Sequence, residues 1–376
     1  MKLLKKYALL GYALVLVSLM APRLAIAQSS VALYGSYDVF LGYQSATVNG
    51  KHTTLTLLGS NAESVSRIGV RGTEDIGGGN HVNFVLENGF DPTSGQQQNT
   101  FRFFDRQAWL GISGDFGEFR VGRQNSPLFT LLSNADAFGA VTYGSGFNNF
   151  IMEQVRVDND LAYFTPVFAH TQMEFHYAMG GVPGEFTGNA VYQVGMQTKQ
   201  GPFVAVAAYF KANNASNTNS VQQLLAAVNY DYGYGKLYAG FFRTNDVISA
   251  TTGNALTSPP GKGNPAAGPV TNTPGNYHNT YTLSADYRVT SSVTIGLGYT
   301  VTIDRSGLGN NAREIGVIAN YNLSKSTHLY AVGSRLTNSN TARFLLAGAA
   351  LSPGAFLTPD PGTAETGFQV GIRYAF

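Results

Sequence analysis

The last ten residues, Gly367-Phe-Gln-Val-Gly-Ile-Arg-Tyr-Ala-Phe376, alternate without a break. Phe368, Val370, Ile372, Tyr374 and Phe376 form one row, and Gly367, Gln369, Gly371, Arg373 and Ala375 the other. Successive strand side chains point to opposite faces, so one face here is wholly apolar and closes with aromatics while the other is small or polar. One such strand fits a water-soluble sandwich as well as a membrane wall. The number of strands and the sorting of their turns decide between them.

The same period recurs backwards through the chain. Sixteen segments read as strands: 31–43, 64–75, 80–90, 103–113, 118–124, 157–165, 170–179, 188–198, 202–211, 220–231, 235–244, 276–288, 292–302, 311–322, 326–336 and 367–376. Most hold about ten residues, the length a tilted strand needs to cross a bilayer, against about five or six in an average soluble strand. An even number suits a bacterial single-chain barrel with both ends on one side. Short turns stand at Asp75–Gly79, Gly114–Gly117, Lys199–Pro202, Tyr232–Gly235 and Thr290-Ser291, and longer loops at 125–156, 180–187, 212–219, 245–275 and 337–366 lie between them. Tight turns on one side and extended loops on the other mark an outer-membrane barrel. The 245–275 stretch, rich in Thr, Asn, Gly and Pro, reads as a mobile, solvated loop.

The faces agree with lipid outside and water inside. Leu33, Gly35, Tyr37, Val39, Leu41 and Tyr43 share one face of the first strand, with Ser36 and Asp38 opposite; Ile68 and Val70 oppose Arg67, Gly69 and Arg71 in the second. An arginine facing lipid at mid-depth costs roughly 2–4 kcal/mol, so charges belong in the lumen. A polar lumen in a barrel of this strand number holds water. The expected fold is therefore an all-β transmembrane antiparallel barrel of sixteen strands, and the expected function is passive conduction of small hydrophilic solutes and ions.

Composition points the same way. Lys2, Lys5 and Lys6, the apolar run Tyr7–Met20 and Ala25-Ile26-Ala27 form a secretory signal peptide over residues 1–27, with cleavage expected before Gln28 and a single barrel domain over 28–376. That segment carries four of the 24 basic residues and none of the 22 acidic ones, so the remaining chain has 20 basic against 22 acidic residues and no basic excess for nucleic acid. Only 12% of residues are charged, about half the usual 25%. There is no cysteine, hence no disulfide, thiol chemistry or Cys-ligated metal.

Rival readings find little support. A barrel enzyme needs a nucleophile and a base within reach, yet none of the six histidines stands in a nucleophile motif and no Gly-x-Ser-x-Gly occurs. His170 and His176 lack the spacing of a helical metal site, so neither a metal nor another cofactor is expected. A substrate-specific sugar channel should show an aromatic slide along the lumen; Trp109 is the only tryptophan, and the tyrosines are accounted for as interface girdles. A monomeric adhesin-like barrel would show no steady conductance.

The loop after strand 118–124 differs from the others. Residues 125–152, NSPLFTLLSNADAFGAVTYGSGFNNFIM, carry one acid and several large apolar side chains, among them Leu128, Phe129, Leu131, Leu132, Phe138 and Phe147. Such a loop needs a surface to bury against, and folding into the barrel interior supplies one while narrowing the pore.

Three stretches carry a family resemblance: SSVALYGSYD at 29–38, SRIGVRGTEDIGGG at 66–79 and DRQAWLGISGDFGEFRVGRQ at 105–124, together with the terminal YAF. The chain resembles the general diffusion porins of Gram-negative outer membranes, in the form common in betaproteobacteria. The resemblance implies a homotrimer of sixteen-stranded barrels, each constricted by a third loop, here about 125–156, whose acids oppose a basic wall. Arg67 in SRIGVRG, Arg106 in DRQAWLG and Arg156 before VDNDLAYFTP match wall arginines, with Arg71, Arg102 and Arg120 as possible additions. Asp136 matches a loop acid and Glu153 is a second candidate, while Ser36 stands where some relatives have a wall lysine. Three arginines against one or two acids imply a modest anion preference. Phe376 is the expected C-terminal signal to the barrel-assembly machinery.

Overall fold

In the computed structural model residues 30–99, 101–139, 142–150, 155–218, 220–246, 276–346 and 356–376 are described. The proposed signal peptide, Glu153 and residues 247–275 of the long loop lie outside them.

Among the described residues the chain forms seventeen strand segments: β1 Ser30–Val48, β2 Lys51–Ser60, β3 Arg67–Gly77, β4 Asn80–Gly89, β5 Gln107–Gly114, β6 Gly117–Asn125, β7 Arg156–Phe164, β8 Thr171–Ala178, β9 Val191–Gln200, β10 Phe203–Asn213, β11 Ser220–Asp231, β12 Lys236–Asp246, β13 Asn276–Arg288, β14 Val293–Asp304, β15 Ala312–Asn322, β16 Thr327–Asn338 and β17 Ala364–Ala375. From β3 onward each pairs antiparallel with the next, and β17 returns to β1 in a register from Ser36↔Ala375 to Ala46↔Glu365, closing the sheet. The upper part of β1 pairs with β2 and its lower part with β3, so these two segments share one position and the barrel has sixteen. Closure leaves no sheet edge facing lipid, which the absence of water there requires.

Segment β2 did not emerge from the alternation. Asn49 and Gly50, both with positive φ, form a two-residue turn between Val48 and Lys51, and β2 runs down beside β1 in the wall position that β3 then continues. The strand then breaks at residues 61–66 and folds over Asp38, whose carboxylate accepts from the Glu63 amide at 2.8 Å and the Ser64 amide at 2.7 Å. Tyr330 donates to the same carboxylate at 2.6 Å, and Glu63 meets His328 on β16.

The outward rows match the alternation. Leu33, Leu41, Ile68, Leu110, Val121, Leu297, Val317, Phe368 and Val370 are exposed. The inward rows are not uniformly polar. Val206, Ala208, Phe210, Leu225 and Phe242 line the inner wall of β10 to β12, where they pack against Leu128, Leu131 and Leu132 of a short helix, α1 (Pro127–Leu132). Phe40 of β1 and Val332 of β16 form a second cluster with Phe138, Tyr143, Phe344 and Leu346. Where a loop covers the wall, apolar residues replace polar ones because that surface meets protein and not water.

Residues 339–346 depart from an ordinary external loop. Phe344, Leu345 and Leu346 are buried. Gln44 Nε2 donates to the Leu346 carbonyl at 2.6 Å, the Leu346 amide to Glu365 at 2.9 Å, and the Phe344 ring stands against His278 with centroids 5.4 Å apart. This segment thus rests on the inward side chains of β1, β13 and β17.

Candidate functional site

The 126–150 segment begins as a capped helix. Ser126 accepts from the Phe129 amide and Pro127 occupies the first turn, a combination that starts a helix sharply. Beyond α1 the chain runs along the wall. The Ala137 amide donates to Ser284 on β13 at 3.0 Å, and the Tyr143 amide to Gln369 on β17 at 2.9 Å. Asn148 and Asn149 donate to the two oxygens of Glu314 on β15, at 3.1 and 2.5 Å. Phe150 stacks on Phe242 with centroids 5.0 Å apart. Glycines make room for the segment: a Cβ on Gly298 would come within 2.4 Å of Phe138, and one on Gly316 within 2.8 Å of Gly144.

Opposite this covered wall, two of the expected arginines converge. Arg106 Nε lies 2.6 Å from Glu87 Oε1, and Arg67 Nε 3.4 Å from Glu87 Oε2. Tyr34 also donates to Glu87, at 2.9 Å. Glu87 faces Gly69 on β3, which puts its side chain on the row of Arg67, and its carbonyl accepts from the Arg106 amide, just before β5, at 3.2 Å. Arg106 is 4% exposed, and Arg67 keeps more contact with solvent. Two guanidiniums on one carboxylate leave a net positive charge.

The remaining expected residues disperse. Arg156 is buried, with its guanidinium 5.4 Å from the Phe129 ring. Arg71 lies over Tyr34 at 5.3 Å. Arg120 is held between the rings of Trp109 and Phe164, at 4.3 and 4.1 Å, and pairs with Glu118 at 2.6 Å. Arg102 belongs to a separate group, sharing Asp158 with Arg123 at 2.6 and 2.7 Å. Asp136 is 4% exposed, and its carboxylate accepts from the Phe138 amide, Ser145 Oγ and the Gly146 amide of its own segment. The acid in contact with Arg67 and Arg106 is therefore Glu87, which the sequence reading missed. Its position, on the same face as Arg67 once β3 and β4 are joined by the Gly77–Gly79 turn, was the available signal. Beside α1 a recess of about 300 Å³, lined in part by Gln107, Arg120, Gln124, Glu174 and Gln197, is bounded by inward polar side chains of β5 to β9.

Known proteins share this architecture. A family model for Gram-negative porin matches residues 13–341. An outer membrane porin protein of Bordetella pertussis is 30% identical over 394 residues, covering 94% of this chain and 96% of that protein. Outer membrane porin protein 32 of Delftia acidovorans is 29% identical over 372 residues, covering 95% and 97%. The solved anion-selective porin from Comamonas acidovorans superposes with a TM-score of 0.73 at 26% identity, over 93% of this chain and all of that one. Its relatives are channels and not enzymes, and the closed barrel has the apolar exterior and charged interior that a channel needs. The chain belongs to the Gram-negative porin family and is a passive diffusion channel of the outer membrane.

Proposed function

We propose that this channel carries small hydrophilic solutes with a modest preference for anions, through a passage constricted between the 126–150 segment and a basic wall of Arg67, Arg106 and Arg156. The observation that carries this reading is the meeting of Arg67 and Arg106 on the single carboxylate of Glu87. The segment and residues 339–346 lean on β7 to β17 and β1, which leaves the β3–β6 side, with Arg67 and Arg106, as the face open to water. A solute crossing there meets an uncompensated positive charge, and charged walls set ion preference. The relative from Comamonas acidovorans is described as anion-selective, which agrees.

Arg71 and Arg120 extend the basic face toward the short turns, whereas Arg102 belongs with Asp158. Asp136 serves the segment's own turn, so the transverse field is set by the arginines against Glu87 and Glu118. A homotrimer and recognition of Phe376 by the barrel-assembly machinery complete the reading and rest on the family resemblance, and cleavage before Gln28 rests on the basic, apolar and small-residue pattern of residues 1–27. Reversal potentials in planar bilayers under a salt gradient test the ion preference: a cation-selective wild-type pore would defeat it.

A further inference from the structure

The outward rows of β12 to β17 are apolar along the barrel and basic at one end. Arg243 stands three residues before the loop end of β12, Arg313 second in β15 and Arg335 three residues before the end of β16; Arg305 follows β14 directly. All four lie at the ends joined by long loops. Below them the same rows carry Tyr281, Tyr299, Ile315, Val317, Phe368 and Val370, all exposed. At the short-turn ends the corresponding positions are Tyr287, Tyr321 and Tyr374, with no arginine.

Among the described residues these arginines have no acidic partner. Aspartates and glutamates of these strands, such as Asp286, Glu314 and Glu365, stand on the inward rows, and none of the four arginines forms an ion pair among the described residues. Three are held by neutral groups: Arg243 Nε donates to Asn279 Oδ1 at 2.9 Å, Arg335 donates to Thr366 Oγ1 at 3.1 Å, and Arg305 donates to Asn245 at 2.6 Å and Tyr277 Oη at 3.0 Å while lying 4.1 Å over the Tyr277 ring. Arg313 faces Thr337 across the β15–β16 pair, which makes Arg335 its diagonal neighbour, with side chains starting about 7–8 Å apart. Neighbouring like charges repel unless an anion lies between them. The contrast lies on the same barrel, where Arg102 and Arg123 share Asp158.

We propose that Arg243, Arg305, Arg313 and Arg335 form a docking face for the phosphate-bearing headgroup of a lipid in the external leaflet, whose acyl chains lie along the apolar rows of β13 to β16. Guanidinium forks match phosphate oxygens, and the adjoining apolar surface, which a free anion would not use, selects a lipid. The face lies outside the lumen and is separate from the conducting path.

The test uses the full barrel in detergent with diphosphoryl lipid A as probe, and with dephosphorylated lipid A and inorganic phosphate as comparison arms. Wild-type protein should retain diphosphoryl lipid A through purification, and the dephosphorylated form at least about tenfold less. The Arg313→Gln/Arg335→Gln variant should lose retention by a similar factor while keeping wild-type single-channel conductance, since neither side chain faces the lumen. Equal retention of the two lipids by the wild type overturns the proposal without any variant. So does undiminished retention by the double variant, or full displacement of the lipid by millimolar inorganic phosphate.

Discussion

Arg106 and Glu87 meet at 2.6 Å on the inner wall, and Arg67 approaches the second oxygen of the same carboxylate at 3.4 Å. The group carries one unit of positive charge on the inner wall. A unit charge about 6 Å from a passing ion in water changes its energy by about 0.7 kcal/mol, roughly threefold in local concentration. Replacing Arg67 and Arg106 together by glutamine should therefore lower the chloride-to-potassium permeability ratio, by about tenfold through the chloride term alone. The reversal potential in a salt gradient reads this directly, and an unchanged potential would remove both residues from the selectivity wall.

Removing the shared carboxylate should act in the opposite direction. Glu87→Gln keeps an acceptor for Tyr34 and deletes the one acid that, among the described residues, pairs with both arginines. The anion preference should rise by roughly threefold from the same Coulomb arithmetic. If selectivity fell instead, Glu87 would be acting by holding Arg106 in place, and the charge-balance account would be wrong.

Glu314 anchors the far end of the 126–150 segment through Asn148 and Asn149, and Ser334 of β16 donates to the same carboxylate. Glu314→Ala leaves the buried Asn149 amide short of a partner, at about 1–3 kcal/mol, while Asn148 and Ser334 keep the Thr142, Tyr143 and Ile315 carbonyls. The segment should loosen from β15, giving larger and noisier single-channel currents. A variant pore with wild-type conductance and noise would mean that the segment does not set the passage width.

Much of this was legible in the sequence, for physical reasons that differ by element. The strands from β3 to β17 were readable because lipid outside and a packed or wet interior inside impose alternation residue by residue. β2 was missed because its rows are not clean: Leu55, Leu57 and Leu58 do not keep one period. The Asn49-Gly50 pair, a strong hairpin signal, would have revealed it. Arg67 and Arg106 were recognisable from their motifs, but Glu87 and the internal role of Asp136 depend on contacts across strands that spacing alone does not supply. The inward fold of residues 339–346 was hidden because its apolar run, Phe344-Leu345-Leu346, is short and its partners Gln44 and Glu365 are remote or lie beyond the loop.

Gly298 shows how the wall encodes the seat of the loop. A side chain there would collide with the Phe138 ring, since a Cβ would stand 2.4 Å from Cε2. Gly298→Val should displace Phe138 and destabilise the barrel by about 1–3 kcal/mol, the usual range for overpacking. A lower temperature for loss of the folded, heat-modifiable band on gels would report it. An unchanged transition would show that the ring has room to move aside.

Asp360 ties residues 356–364 to the β1–β2 turn. Its carboxylate accepts from the Gly50 amide at 2.7 Å and the Asn49 amide at 2.9 Å. These two amides hold the Asp360 carboxyl below the ordinary aspartate range, and nearby Arg343 adds to the effect. A carboxyl whose value is depressed in the folded state contributes stability that is fully present above its unfolded value, about 3.9, and is lost as pH falls through the lower folded value. The tie should thus be intact at pH 5 and above and open progressively below about pH 4. Amide exchange at Asn49 and Gly50, corrected for the intrinsic rate, should show protection that declines over that acid window in the wild type. In Asp360→Ala protection should be low and nearly independent of pH. Equal protection in the two proteins at pH 6 would show that the turn is ordered without this carboxylate.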